Sequence, residues 1–211
     1  MPYKHAPEQP ATDRDERHRR LLRKALQRNG GARDWRGWKA GSIEEFMAMV
    51  AKAPRMTVLE LSLDGDLDIA YRIEMPVPRW PVDGRLRIGD HAVFHLHYED
   101  SWRWEPFPGW APVGLFHPLD PFHPNCRPHF RGAICLGVVP PATKPTELVL
   151  LGFYTLCLQT VSLDETDPLG VLNVEACQFY RDHPEYVPLS RAGLFEPLEE
   201  VSPAGHPYPR S

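Results

Sequence analysis

Between His117 and Cys135 the chain gathers His117, His123, Asn125, Cys126, His129 and Cys135 in one proline-studded stretch. Cys135 stands between apolar Ile134 and Leu136, just ahead of Gly137. A thiolate in that position can attack an acyl carbonyl and later leave again, which is the chemistry of acyl transfer. With His123 or His129 as its base, the same thiol would serve a cysteine hydrolase and release product to water. Imidazole and thiolate are also zinc ligands. However, intervals of five, two, two and five residues between His117, His123, Cys126, His129 and Cys135 match no zinc pattern. The plain alternative is a surface loop leading into a buried cysteine, because most free cysteines are packing residues. A second row, His91, His95 and His97, lies opposite Ala92, Phe94, Leu96 and Tyr98 in a strand pattern. No carboxylate or cysteine shares that row, so it reads as a face turned to solvent or to a covering loop.

These groups have to be positioned by a chain of 211 residues, 42% hydrophobic, enough for one domain with extensions. Charge is uneven. Residues 1–40 hold 11 Lys/Arg against 5 Asp/Glu, a basic arm on an acidic body that suits nucleic acid, a membrane or an acidic protein surface. Four scattered cysteines, at 126, 135, 157 and 177, and no apolar leader at the amino end predict free thiols in a reducing cytoplasm. No uninterrupted apolar run is long enough to cross a membrane. The 24 prolines crowd into residues 76–145 and the last 30, which predicts long shaped loops.

Residues 1–12 read as disordered. A capping-box pair, Asp13 with Glu16, predicts a basic helix over 14–28, and Ser42 with Glu45 a short one over 43–52. Residues 57–63 and 67–75 form a hairpin around Asp64-Gly65-Asp66, followed by strands over 91–98 and 113–116. The stretch 99–112 is dense in aromatics and prolines, too kinked for a strand, and either a partner surface or a flap over the sheet edge. Pro145 opens a largely apolar, buried helix to about Thr160, and a last helix spans about 173–181. Cys157 and Cys177 fall on apolar helix faces and read as core.

His123-Pro124-Asn125, Gly132-Ala133-Ile134-Cys135-Leu136, Asp167-Pro168-Leu169 and Ala176 with Tyr180 resemble, in that order, four motifs of ubiquitin-conjugating enzymes. These are the His-Pro-Asn turn, the active-site segment, the Asp-Pro-Leu turn and the final helix. Glu105-Pro106-Phe107-Pro108 is similar to that family's Pro-Phe-x-Pro-Pro connection. The likeness covers roughly residues 57–183. It departs in a longer Asn125–Cys135 interval, a missing Trp-x-Pro, Gly137 where an Asp is usual, and Gly170 after Asp-Pro-Leu. Such divergence points to a bacterial member that travels with its own activating enzyme, ubiquitin-like modifier and metalloprotease.

The resemblance implies an α+β, UBC-like fold over residues 13–183, with a four-stranded antiparallel meander flanked by amino- and carboxy-terminal helices, and a Pro-rich tail over 184–211. Cys135 would carry the modifier as a thioester. Asn125 would either steady the oxyanion or brace the Cys135 loop, and Asp167 would orient the incoming lysine. His123 and Pro124 would support the turn. Arg17, Arg20, Arg23 and Lys24 of the basic helix, taken as the family's first helix, would dock on the activating enzyme, with Phe107, Pro108 and Trp110 as further partner contacts. No cofactor is expected, and neither nucleic acid nor a membrane is an expected partner. A noncatalytic relative would keep the fold and only bind ubiquitin-like partners.

Overall fold

The computed structural model describes residues 12–108, 111–128, 130, 132–167 and 171–197. Of residues 1–12, expected to be disordered, 1–11 lie outside them, and Thr12 is instead ordered as a helix cap. Helix α1 spans Asp13–Gln27, but its cap is Thr12: the Thr12 hydroxyl accepts from Asp15 N–H while Asp15 reaches back to the Thr12 amide. The expected Asp13/Glu16 box is therefore displaced by one residue, since a short hydroxyl fits the cap site as well as a carboxylate does.

Helix α2, Arg33–Lys52, is capped at Ala32, ten residues before the expected Ser42 cap. Packing overrides the capping signal. Trp35, Ile43, Phe46 and Val50 are buried along one face, Trp35 stacks on Trp38, and Glu45 pairs with Lys144 instead of closing a box.

Strands β1 (Met56–Ser62), β2 (Leu67–Val82), β3 (Arg85–Tyr98) and β5 (Val113–His117) form one antiparallel meander in that order. β2 and β3 run far beyond the expected limits. Pairing of β1 with β2 ends at Met56–Ile73, so β2 is an edge strand past that point, where proline costs no ladder bond. Bulges between Glu74 and Val77 and between Arg79 and Val82 take up Pro76 and Pro81. Inside the aromatic loop, β4 (Phe107–Pro108) pairs with β6 (Val138–Val139), contrary to the expectation of no strand there.

One sheet face, with Tyr71, Ile73, Phe94 and Leu96, is buried beneath α2 and helix α3, Pro145–Leu156. A smaller apolar cluster around Phe122 and Tyr180 joins helix α4, Val174–Asp182, to the long hairpin. Of the expected tail, residues 184–197 pack as a strap: Leu194 is buried, Leu189 N–H donates to the Cys157 carbonyl at 3.0 Å, and Gln159 reaches Ser190 O at 2.7 Å. No described helix is long and apolar enough to cross a membrane. The chain is thus α+β, with four helices and a four-stranded antiparallel sheet among its described residues.

Candidate functional site

The turn His123–Cys126 and the segment Gly132–Cys135 are stitched together by backbone. Cys135 N–H donates to Asn125 O at 2.8 Å, and Asn125 Nδ2 returns a bond to Cys135 O at 3.0 Å. A carbonyl can only accept, so the atom facing it is the amide nitrogen, and the orientation of Asn125 is fixed. Asn125 therefore braces the cysteine loop, one of the two roles left open for it. Its Oδ1 is buried with no hydrogen-bond partner among the described residues.

Gly132 attaches this segment to the sheet. Its N–H donates to Leu119 O at 2.7 Å and its carbonyl accepts from Leu115 N–H at 2.6 Å, beside a bridge between Gly114 and Ala133. Its φ of +80° and its closeness to β5 both call for glycine, because a Cβ there would collide with the Leu115 carbonyl oxygen.

His123 is wholly buried. Nε2 bonds the Thr155 carbonyl at 2.8 Å and so carries the proton, while Nδ1 accepts from Asn125 N–H at 3.0 Å. Burial pushes its pKa down to about 4. With both nitrogens committed, His123 cannot be the base of a hydrolase; it is a strut between α3 and the turn. His129, the other candidate base, lies outside the described residues.

Pro124 offers its carbonyl to the amides of Leu172, at 2.7 Å, and Asn173, at 3.0 Å. Asp167 O in turn accepts from Val171 N–H at 3.2 Å, so the Asp167 turn is tied to the His-Pro-Asn turn through the backbone. Asn173, not Asp167, caps α4, accepting from Ala176 N–H at 3.1 Å. Tyr180 closes the same knot by donating to Phe122 O at 2.8 Å. Sequence reasoning missed the Leu172 and Asn173 amides and the Thr155 carbonyl, because main-chain partners leave no residue signature.

Cys135 is 7% exposed and, like fully buried Cys177, lies outside both apolar clusters, whereas Cys126 and Cys157 sit in the main core. Burial raises the thiols of Cys126, Cys157 and Cys177, Cys157 to about 12. These three are packing residues, and Cys177 Sγ also bonds Leu163 O at 2.9 Å. Among the described residues no group of three or more His, Cys, Asp or Glu converges to hold a metal. No carboxylate stands in the histidine row itself, but carboxylates outside it reach all three rings. Asp68 on β2 meets His97 Nδ1 at 2.8 Å and His95 Nε2 at 3.2 Å, and Asp90 meets His91 at 2.6 Å.

The expected partner contacts divide. Arg17, Arg20, Arg23 and Lys24 are exposed along α1. Arg14 is not part of that solvated face: it binds the carbonyls of Val50, Ala53 and Pro54 at the end of α2. Pro108 is exposed, but Phe107 is buried, its ring 4.6 Å from that of Trp102, so its hydrophobic side chain serves the core and not a partner. Trp110 lies outside the described residues. Trp104, which sequence reasoning passed over, is 69% exposed with the Arg103 guanidinium 4.9 Å over its ring. No protein-family model matches the chain, and no curated protein and no solved structure matches it.

Proposed function

We propose that the chain is a ubiquitin-conjugating-like enzyme with a UBC-like fold, taking a ubiquitin-like protein from an activating enzyme onto Cys135 and passing it to an amine. The observation that carries the reading is the two-way brace between Asn125 and Cys135, tied through Pro124 to the segment after Asp167. It gathers three of the four motifs of the sequence resemblance into one hydrogen-bonded knot.

In the first step the Cys135 thiolate attacks the modifier's thioester carbonyl and the activating enzyme's thiolate leaves. In the second, a lysine amine attacks the new thioester, Cys135 departs as thiolate, and the amine loses a proton with Asp167 orienting it. ATP is consumed upstream, so this chain needs no cofactor. Exposed Arg17, Arg20, Arg23 and Lys24 supply the electrostatic docking surface for the activating enzyme. Helix α2 is the better counterpart of the family's first helix, since it directly precedes β1 and packs on α3, so α1 is an addition and its docking role rests on its exposed charge, not on that correspondence. A metalloprotease of the same system, and bacterial origin, belong to this proposal.

The small exposure of Cys135 favours one second reading, a noncatalytic module that binds ubiquitin-like partners. A single experiment separates the two: the protein is mixed with an activating enzyme, modifier and ATP, then run on a nonreducing gel. A conjugating enzyme gives a thiol-sensitive adduct that is lost in Cys135→Ala and becomes a thiol-resistant ester in Cys135→Ser. An adduct unaffected by Cys135→Ala, or none with any activating enzyme that binds the protein, leaves the binding module.

A further inference from the structure

Arg55, between α2 and β1, has its guanidinium enclosed by the start of β1, by α3 and by the 184–197 strap. The residue is 4% exposed, donates from Nη2 to the Gly193 carbonyl, and lies 5.2 Å over the Phe153 ring. Its Nε and Nη1 are buried and make no hydrogen bond among the described residues. Among the described residues, neither neighbouring carboxylate answers it. Glu74 faces Arg72 at 3.8 Å and is more than half exposed, while Glu196 accepts from the Gly193 amide at 2.9 Å. The neighbouring Cys157 thiol is held protonated by burial and brings no charge. A guanidinium does not give up its proton, and a buried cation without counter-charge is among the costliest arrangements in a protein.

We propose that Arg55 is the receptor of an oxyanion, a carboxylate or a phosphate, at this seam. Nε–H and Nη1–H lie on opposite flanks of Nη2, so an oxyanion would accept from one of them together with the second Nη2–H, a pairing that suits either group. Two sources share that chemistry. One is the Glu196 carboxylate, swung from the Gly193 amide onto Arg55 so that the strap locks. The other is a free oxyanion from solution.

The test is thermal unfolding of the full chain with and without sodium phosphate or acetate, at ionic strength held constant with sodium chloride. The proteins compared are wild type, Glu196→Gln, Arg55→Met and Arg55→Lys. A free oxyanion raises the wild-type midpoint by roughly 4 °C at ten times its dissociation constant. If Glu196 is the ligand, wild type does not respond and Glu196→Gln, which starts lower, gains the response. In both cases Arg55→Met loses it; should that variant not fold, Arg55→Lys, which keeps the charge without the planar donors, shows at most a weakened response. No response in either wild type or Glu196→Gln, or an equal response in the Arg55 variants, overturns the proposal.

Discussion

At the scale of single residues, the site is held by groups whose hydrogen-bonding capacity is already assigned. Asn125 spends its amide on the Cys135 carbonyl, so removing the donor alone tests the brace. Asn125→Asp keeps the shape but sets a carboxylate against a carbonyl, and the expected loss is about 1–3 kcal/mol of unfolding free energy at pH 7, read from urea curves. Unchanged stability would show that the loop holds without it. His123 makes a pH prediction. Its folded pKa, about 4, lies below the ordinary 6.5, so the unfolded chain binds the extra proton first as pH falls. Its contribution is complete above pH 6.5 and drains away towards pH 4, by about 3 kcal/mol in all. Buried His18, which accepts from Val58 N–H at 3.2 Å and whose pKa is also lowered by burial, acts in the same direction. Histidine NMR titration should find the His123 ring neutral at pH 5, alongside a fall in urea midpoint between pH 7 and pH 4.5. A ring titrating near 6.5 would contradict the strut.

At the scale of elements, two glycines with nearly the same backbone angle separate conformation from space. Gly132 and Gly137 have φ of +80° and +81°, but only at Gly132 would a Cβ meet backbone. Gly132→Ala is expected to cost about 2–4 kcal/mol, since Leu115 cannot yield without breaking the β5 ladder. Gly137→Asp, which restores the residue usual in the resembling family, should cost only about 1 kcal/mol, the ordinary penalty of a left-handed residue. Urea denaturation of the two variants checks the contrast, and equal losses would contradict it. The same elements explain what could be foreseen. Alternating apolar residues made the cores of β1, β3 and β5 legible, and Pro145 marked the start of α3. The outer half of β2 was not, because Pro76, Pro78 and Pro81 deny a strand unless its other edge is known to be free, and that depends on where β1 stops. Helix α2 hid its beginning for a related reason: Gly37 and Gly41 weaken the local signal, while buried Trp35 and Lys39 supply the packing that extends it. At the site, the side-chain brace followed from motif likeness, whereas the backbone ties to Thr155, Leu172 and Asn173 had no local cue.

At the scale of the whole molecule, three buried or half-buried cations join the chain's extensions to its core, each through main-chain carbonyls. Arg14 hooks α1 onto the end of α2, Arg55 holds the strap, and Lys39 gathers the α1–α2 connection and the first hairpin. Lys39 is fully buried, with Nζ 3.0 Å from Gly30 O, 2.5 Å from Leu63 O and 2.6 Å from Gly65 O, and 5.2 Å over the Trp35 ring. Burial lowers its pKa, against the opposing pull of Asp66 and Asp64. Three carbonyl dipoles converging on one ammonium replace its water shell, so the charge is tolerated only while all three segments stay together. Lys39→Met keeps the apolar stem and leaves those carbonyls without their shared donor, for an expected loss of about 3–5 kcal/mol. Lys39→Arg should not restore it, because a planar fork cannot place one point of charge among three acceptors. Because the lysine bridges α1–α2 to β1–β2, the loss should reach both. Hydrogen exchange in Lys39→Met is therefore expected to quicken at the Gly30 amide, which donates to Leu63 O at 3.0 Å, and along the β1–β2 ladder, before the Asn125–Cys135 knot is affected. Exchange accelerating uniformly over the chain would mean that Lys39 contributes to global stability alone and does not join these parts specifically.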